Sequence, residues 1–121
     1  MKDIETLLEA YGDGLYRGDV DLLAQVFHPQ AMLYGEVRGE PVCRPLGPYL
    51  ERVAARRSPA QLGEAYGFEV LSIEVTGEIA LARMRCRMLG FDYLDYLSLV
   101  RRDGAWAIAS KTYTDCSSRA G

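Results

Sequence analysis

Histidine and tryptophan each occur once in this 121-residue sequence, as His28 and Trp106. With a single imidazole, a zinc site would have to draw on scattered cysteines and carboxylates without ligand spacing, so metal binding is not expected. A Ser-His-Asp triad would need His28 as its base, and no serine sits in a nucleophile-elbow context. Neither Gly-x-Gly-x-x-Gly nor Gly-x-x-x-x-Gly-Lys occurs, so nothing cradles a nucleotide phosphate. No metal and no organic cofactor is expected. The three cysteines, Cys43, Cys86 and Cys116, are an odd number with no Cys-x-x-Cys pair. Free thiols in a reducing cytoplasm are the simplest reading. A basic excess is missing too. The net charge is −3, which argues against general affinity for nucleic acid or an anionic membrane. The opening MKDIETLLEAYG contains three acidic residues and no long apolar run, so neither a signal peptide nor a membrane span is expected there.

What is present fits one globular domain over residues 1–121, with no linker, repeat or low-complexity run. A chain of this length buries roughly 65% of its unfolded surface. Ile4, Leu7, Leu8, Tyr11 and Leu15 recur at helical spacing. Gly18-Asp19 then ends one helix and caps the next. The second helix runs from Asp19 to about Val26, with Val20, Leu22, Leu23 and Phe27 inward. Ala31 to Tyr34 reads as a short strand turned by Gly35 and Gly39. Pro45 suits the first turn of a third helix with Leu46, Leu50 and Val53 on one face. Ser58-Pro59 ends it, because the residue before proline disfavours helical angles.

From about Tyr66 the period changes to two. Ala80, Ala82, Met84, Cys86 and Met88 alternate with Ile79, Leu81, Arg83, Arg85 and Arg87. Thr76-Gly77-Glu78, Leu89-Gly90-Phe91 and Arg102-Asp103-Gly104 supply hairpin turns. Long strands are expected near 66–76, 79–89, 92–102 and 105–115. The fold class is α+β, with three helices packed on one face of a curved antiparallel sheet.

The stretch YGDGLYRGDVDLLAQVFHPQA (Tyr11 to Ala31) resembles the opening of the nuclear transport factor 2-like superfamily. DYLSLVRRDGAWAIASKTY (Asp95 to Tyr113), Val53-Ala54-Ala55 with Ser58-Pro59, and Ser72-Ile73-Glu74-Val75 extend the resemblance over nearly the whole chain. The similarity is to the branch named for lumazine binding, in a superfamily shared with ketosteroid isomerases and polyketide cyclases. It implies a cystatin-like cone with an internal cavity, and a homodimer through the sheet face. It implies a small apolar or aromatic ligand, such as a pterin-like planar ring. Many unrelated activities use this cone, so the resemblance specifies fold more closely than function.

In the isomerases an oxyanion-hole tyrosine stands seven residues before the Gly-Asp break, the place of Tyr11. A phenol there donates to a developing enolate oxygen. The isomerase base would fall at Gly35, which has no side chain. A protonated aspartate on a comparable strand corresponds to Asp95. Alternatives stay open for each residue. Tyr11 is an oxyanion donor or a core aromatic on the helix stripe. Asp95 lies on an apolar inner face, or on an outer face where it pairs with Lys111. His28 is a general base at the cavity wall or a ring bonding loose helix-end carbonyls. Lys111 reaches a substrate carbonyl, or pairs with Asp95 or Glu74. The cavity walls are expected to involve Tyr11, Phe27, His28, Tyr34, Tyr49, Asp95 and Trp106. Three functions remain at this point: a small-molecule-binding module, a cofactor-independent isomerase, lyase or cyclase acting on a carbonyl compound, and a homodimeric association domain.

Overall fold

In the computed structural model, which describes residues 2–117, helix α1 (Lys2–Arg17) buries Ile4, Leu8, Tyr11 and Leu15 along the expected stripe. Gly18 ends the helix at φ 67°, a conformation that glycine adopts without steric cost. Asp19 caps α2 (Val20–Val26), its carboxylate accepting the Leu22 N–H at 3.1 Å. The two helices therefore meet at a sharp elbow, with Leu23 and Val26 turned into the core.

Strand β1 (Phe27–Val37) is longer than the four residues expected and runs straight through Gly35. It turns at Arg38 and Gly39, both at positive φ, into β2 (Glu40–Pro45). β2 was not anticipated from the sequence. A proline lies near each of its ends, and it survives because it is an edge strand. Helix α3 (Leu46–Ala55) starts one residue after Pro45 and stops ahead of Ser58-Pro59. β3 (Phe68–Thr76), β4 (Ile79–Met88), β5 (Phe91–Arg102) and β6 (Ala105–Asp115) fall within two residues of the expected spans.

The six strands form one curved, unclosed sheet in the order β2-β1-β6-β5-β4-β3. It is mixed rather than wholly antiparallel, because β1 and β6 pair in parallel. Every other neighbouring pair is joined by a hairpin, which forces opposite directions. β1 and β6 meet with most of the chain between them, so no turn dictates their sense. Helices α1, α2 and α3 pack on the concave side. The inward face carries Ala80 to Met88 in even positions and Asp95, Leu97 and Leu99 in odd ones. On the outer face Tyr34, Tyr96 and Ile79 remain 45%, 45% and 58% exposed.

Candidate functional site

Strand parity decides what faces the concave side. Asp95 pairs with Met84 on β4 and Tyr113 on β6 and points inward with them. One residue of β6 is bulged near Ala109, which shifts the register and turns Lys111 and Tyr113 to the same side. Tyr11 comes from α1 above the sheet and Tyr49 from α3. These elements converge on a polar cluster inside an apolar core.

The Tyr11 hydroxyl donates to Asp95 Oδ2 at 2.5 Å, and the Cys86 thiol donates to the same oxygen at 3.3 Å. Lys111 Nζ stands 3.6 Å from that oxygen and donates to the Tyr49 hydroxyl at 3.3 Å. The ammonium also lies 4.6 Å from the Tyr113 ring centre, 5.0 Å from that of Tyr49 and 5.4 Å from that of Tyr11. Asp95 is 1% exposed, yet its Oδ1 accepts no hydrogen bond. A buried carboxylate oxygen without a donor is costly.

Burial raises the Tyr11 hydroxyl well above its ordinary value, and the neighbouring Asp95 charge adds to this. Burial raises the Cys86 thiol likewise. Burial alone would lower the Lys111 ammonium. The Asp95 charge and the surrounding tyrosines outweigh it, and Lys111 is held protonated above its usual range. It therefore serves as a charged donor and not as an amine nucleophile. Tyr11 has one O–H, and it is engaged in donating to Asp95.

Asp95, Lys111, Cys86 and Tyr93 line a cavity of about 40 Å³. By comparison with the space one water needs, this holds a polar edge of a ligand rather than a whole one. Tyr49, Arg56, Tyr93 and Tyr113 line both this cavity and an outer cleft of about 460 Å³. The cleft volume lies within the range of small-molecule sites. Phe91 and Tyr93 stack at 5.0 Å on one wall, and Tyr93 meets the Tyr113 edge at 5.6 Å.

Of the residues expected on the cavity walls, Tyr49 and Asp95 line the cavity, and Tyr11 bonds Asp95 from within the core without lining it. Phe27 is buried directly behind them, its ring edge-on to Tyr11 at 5.8 Å and to Tyr49 at 5.9 Å. Three others lie away from the cavity. Tyr34 is on the outer face, since its strand neighbours Leu33 and Gly35 take the inner one. His28 sits where β1 slips register against β6, and its Nδ1 accepts the Gln30 N–H at 3.0 Å. Trp106 lies five residues before Lys111 on β6, roughly 15 Å away at strand rise, and packs on the core there. Tyr113 occupies the space a side chain at Gly35 would take: a Cβ there would stand 2.6 Å from the Tyr113 carbonyl oxygen and 3.1 Å from its ring. The expected list omitted Lys111, Cys86, Tyr93 and Tyr113. The β6 bulge hides the inward turn of Lys111 from any count of alternation. No group of His, Cys, Asp or Glu among the described residues is placed to hold a metal ion. No described helix is long and apolar enough to cross a membrane.

Residues 1–114 match the model of the family described as "Putative lumazine-binding". The chain belongs to that family. Its fold is that of the nuclear transport factor 2-like superfamily, as solved structures of this family's superfamily show. A protein of unknown function from Silicibacter pomeroyi superposes with a TM-score of 0.84 at 23% identity, covering 94% of this chain and 93% of its own. One from Shewanella baltica gives 0.81 at 21% identity, with 94% and 91% covered. One from Methylobacillus flagellatus gives 0.77 at 21%, with 94% and 90% covered. At these identities the likeness establishes the fold alone. No curated protein matches the chain significantly.

Proposed function

We propose that this member of the lumazine-binding family is a small-molecule-binding protein whose ligand is a planar ring compound. The ring lies in the outer cleft and its polar edge enters the cavity above Asp95 and Lys111. The observation that carries this reading is the unpartnered Oδ1 of Asp95, a residue that lines the cavity. It calls for an N–H or O–H donor from a ligand, and Lys111 beside it calls for an acceptor. A donor next to an acceptor is the edge of a cyclic lactam or imide, as in a pterin-like ring. Tyr93, Tyr113 and Phe91 supply flat surfaces for the ring body.

The enolising reading has less support. It needs a free Tyr11 O–H, and that O–H is engaged in donating to Asp95. It also needs a base, and the Tyr113 ring and carbonyl crowd Gly35 at the isomerase base position. The binding reading is tested by titrating lactam-edged heterocycles, such as pterin, into the wild type and Lys111→Met. Saturable binding that weakens at least tenfold in the variant supports it. Turnover of a carbonyl substrate that is lost in Tyr11→Phe would replace it with the enzyme reading.

The outer sheet face supports a homodimer. Tyr34, Leu94 and Tyr96 bound an apolar groove of about 520 Å³, and Ile79 and Leu81 extend the exposed surface. A second copy presenting the same face would cover it.

A further inference from the structure

We infer that the ligand carries an anionic group, a carboxylate or a phosphate, held at the cleft mouth by Arg44, Arg52 and Arg56; this rests on the binding reading above. All three arginines line the cleft. Arg44 comes from β2, and Arg52 and Arg56 lie one turn apart on α3, Arg56 being its C-cap. Residues four apart on a helix share a face, so both α3 guanidinium groups are presented on one side.

Arg38 pairs with Asp115, Arg85 with Asp92, Arg87 with Glu69 and Arg101 with Glu78. Among the described residues Arg44, Arg52 and Arg56 share the absence of an ion pair with Arg17, Arg57, Arg83 and Arg102, and what separates them from those four is that all three line one cleft. Arg44 and Arg56 are also half-buried, so water solvates them only in part. A partly desolvated cation without a partner favours an incoming anion. The one carboxylate lining the cleft, Glu40, is four residues before Arg44 on β2, about 13 Å away at strand rise. A chain with net charge −3 therefore has a cationic mouth over a floor on which Lys111 is balanced by Asp95.

The two ends of the site impose different chemistry. The floor offers one acceptor and one cationic donor, suited to a neutral lactam edge. The mouth offers planar guanidinium forks, which match carboxylate and phosphate oxygens in pairs. Between them the stacked Phe91 and Tyr93 rings offer apolar surface for the ring. The ligand class is thus a planar heterocycle with a lactam edge at one end and an oxyanion at the other.

Two matched pairs of fluorescent probes test this: pterin against 6-carboxypterin, and riboflavin against its 5′-phosphate. They are titrated into the wild type and into the variant carrying Arg44→Gln, Arg52→Gln and Arg56→Gln. The anionic member should bind on the order of tenfold tighter at low salt, an advantage that fades as salt rises. In the variant this advantage should vanish, the anionic member binding no tighter than its neutral partner, while the melting temperature stays unchanged. An advantage in the first pair alone assigns a carboxylate, and in the second alone a phosphate. Equal binding of both members in the wild type overturns the inference and leaves the ring-binding reading intact. So does an advantage that survives in the variant. If none of the four compounds binds, both readings fall.

Discussion

Asp95 concentrates the energetics of this protein in one carboxylate. Three groups converge on its Oδ2, and the buried Lys111 relies on it for charge balance. Removing one member of a buried ion pair leaves the other uncompensated, so Asp95→Asn should cost about 3 kcal/mol or more in denaturant unfolding. The pH dependence should reverse as well. In the wild type the Lys111 and Tyr11 values are raised, so their contribution is complete below about pH 10, their unfolded range, and is lost as pH climbs beyond it. In Asp95→Asn, burial acts on Lys111 without that charge and lowers its folded value. The unfolded state then binds more protons, and stability should rise with pH between roughly 7 and 10. Adding Lys111→Met to Asp95→Asn should restore much of the loss, as a double-mutant cycle would show. Gly35 is a second sensitive residue. A Cβ there meets the Tyr113 carbonyl oxygen at 2.6 Å, so Gly35→Ala should destabilise by roughly 1–3 kcal/mol and disturb the cavity wall.

At the level of elements, the edge hairpin β1–β2 is tied back to the sheet through Arg38. Its Nε donates to Asp115 Oδ2 at 2.6 Å, its Nη2 donates to the Gly90 carbonyl at 2.9 Å, and its guanidinium lies 4.2 Å from the Phe91 ring centre. Asp115 also accepts the backbone N–H groups of Asp92 and Ser117, each at 3.0 Å. Burial alone would raise the Asp115 carboxyl. The N–H groups and Arg38 outweigh it and hold it well below the usual carboxylate range. A depressed folded value stabilises above the unfolded value of about 4, and the contribution is lost as pH falls through and below it. Urea midpoints should therefore drop between about pH 4 and pH 2 in the wild type, and Asp115→Asn should flatten that drop. The same substitution should cost about 1–2 kcal/mol at neutral pH, where charge-assisted hydrogen bonds are exchanged for neutral ones. Arg38→Ala should loosen the hairpin that forms one side of the cleft, which amide hydrogen exchange in β2 would report.

At the scale of the molecule, the open outer face of the sheet asks for cover. Tyr34, Tyr96, Leu81 and Ile79 are large and exposed there. An exposed apolar face of this kind is the surface on which the proposed homodimer would form. Sedimentation should find a dimer at micromolar concentration, and Tyr96→Glu should yield a monomer by placing a charge from each copy on the apolar face. A wild-type monomer at that concentration would remove the homodimer proposal. Ligand binding on the concave side should survive in the Tyr96→Glu monomer, because the cleft residues belong to the opposite face.

Sequence alone determined the three helices, the four long strands from β3 to β6 and most of their faces. Helical spacing in Ile4 to Leu15 and alternation in Ala80 to Met88 are local consequences of burying one side of a helix or strand, so both were legible without neighbours. The Gly18-Asp19 elbow was equally local, because a positive φ and a capping carboxylate act within a few residues. The choice of inner face on β5 was not, since Leu94, Tyr96 and Val100 are nearly as apolar as Leu97 and Leu99. Packing against β4 and β6 decided it, and turned Asp95 inward. The parallel pairing of β1 with β6, the existence of edge strand β2 and the bulge that aims Lys111 depend on contacts between segments far apart in the chain. Periodicity carries no information about such contacts. The site combines Tyr11, Tyr49, Cys86, Asp95 and Lys111 from five different elements, so only the tertiary structure decided that their polar atoms meet.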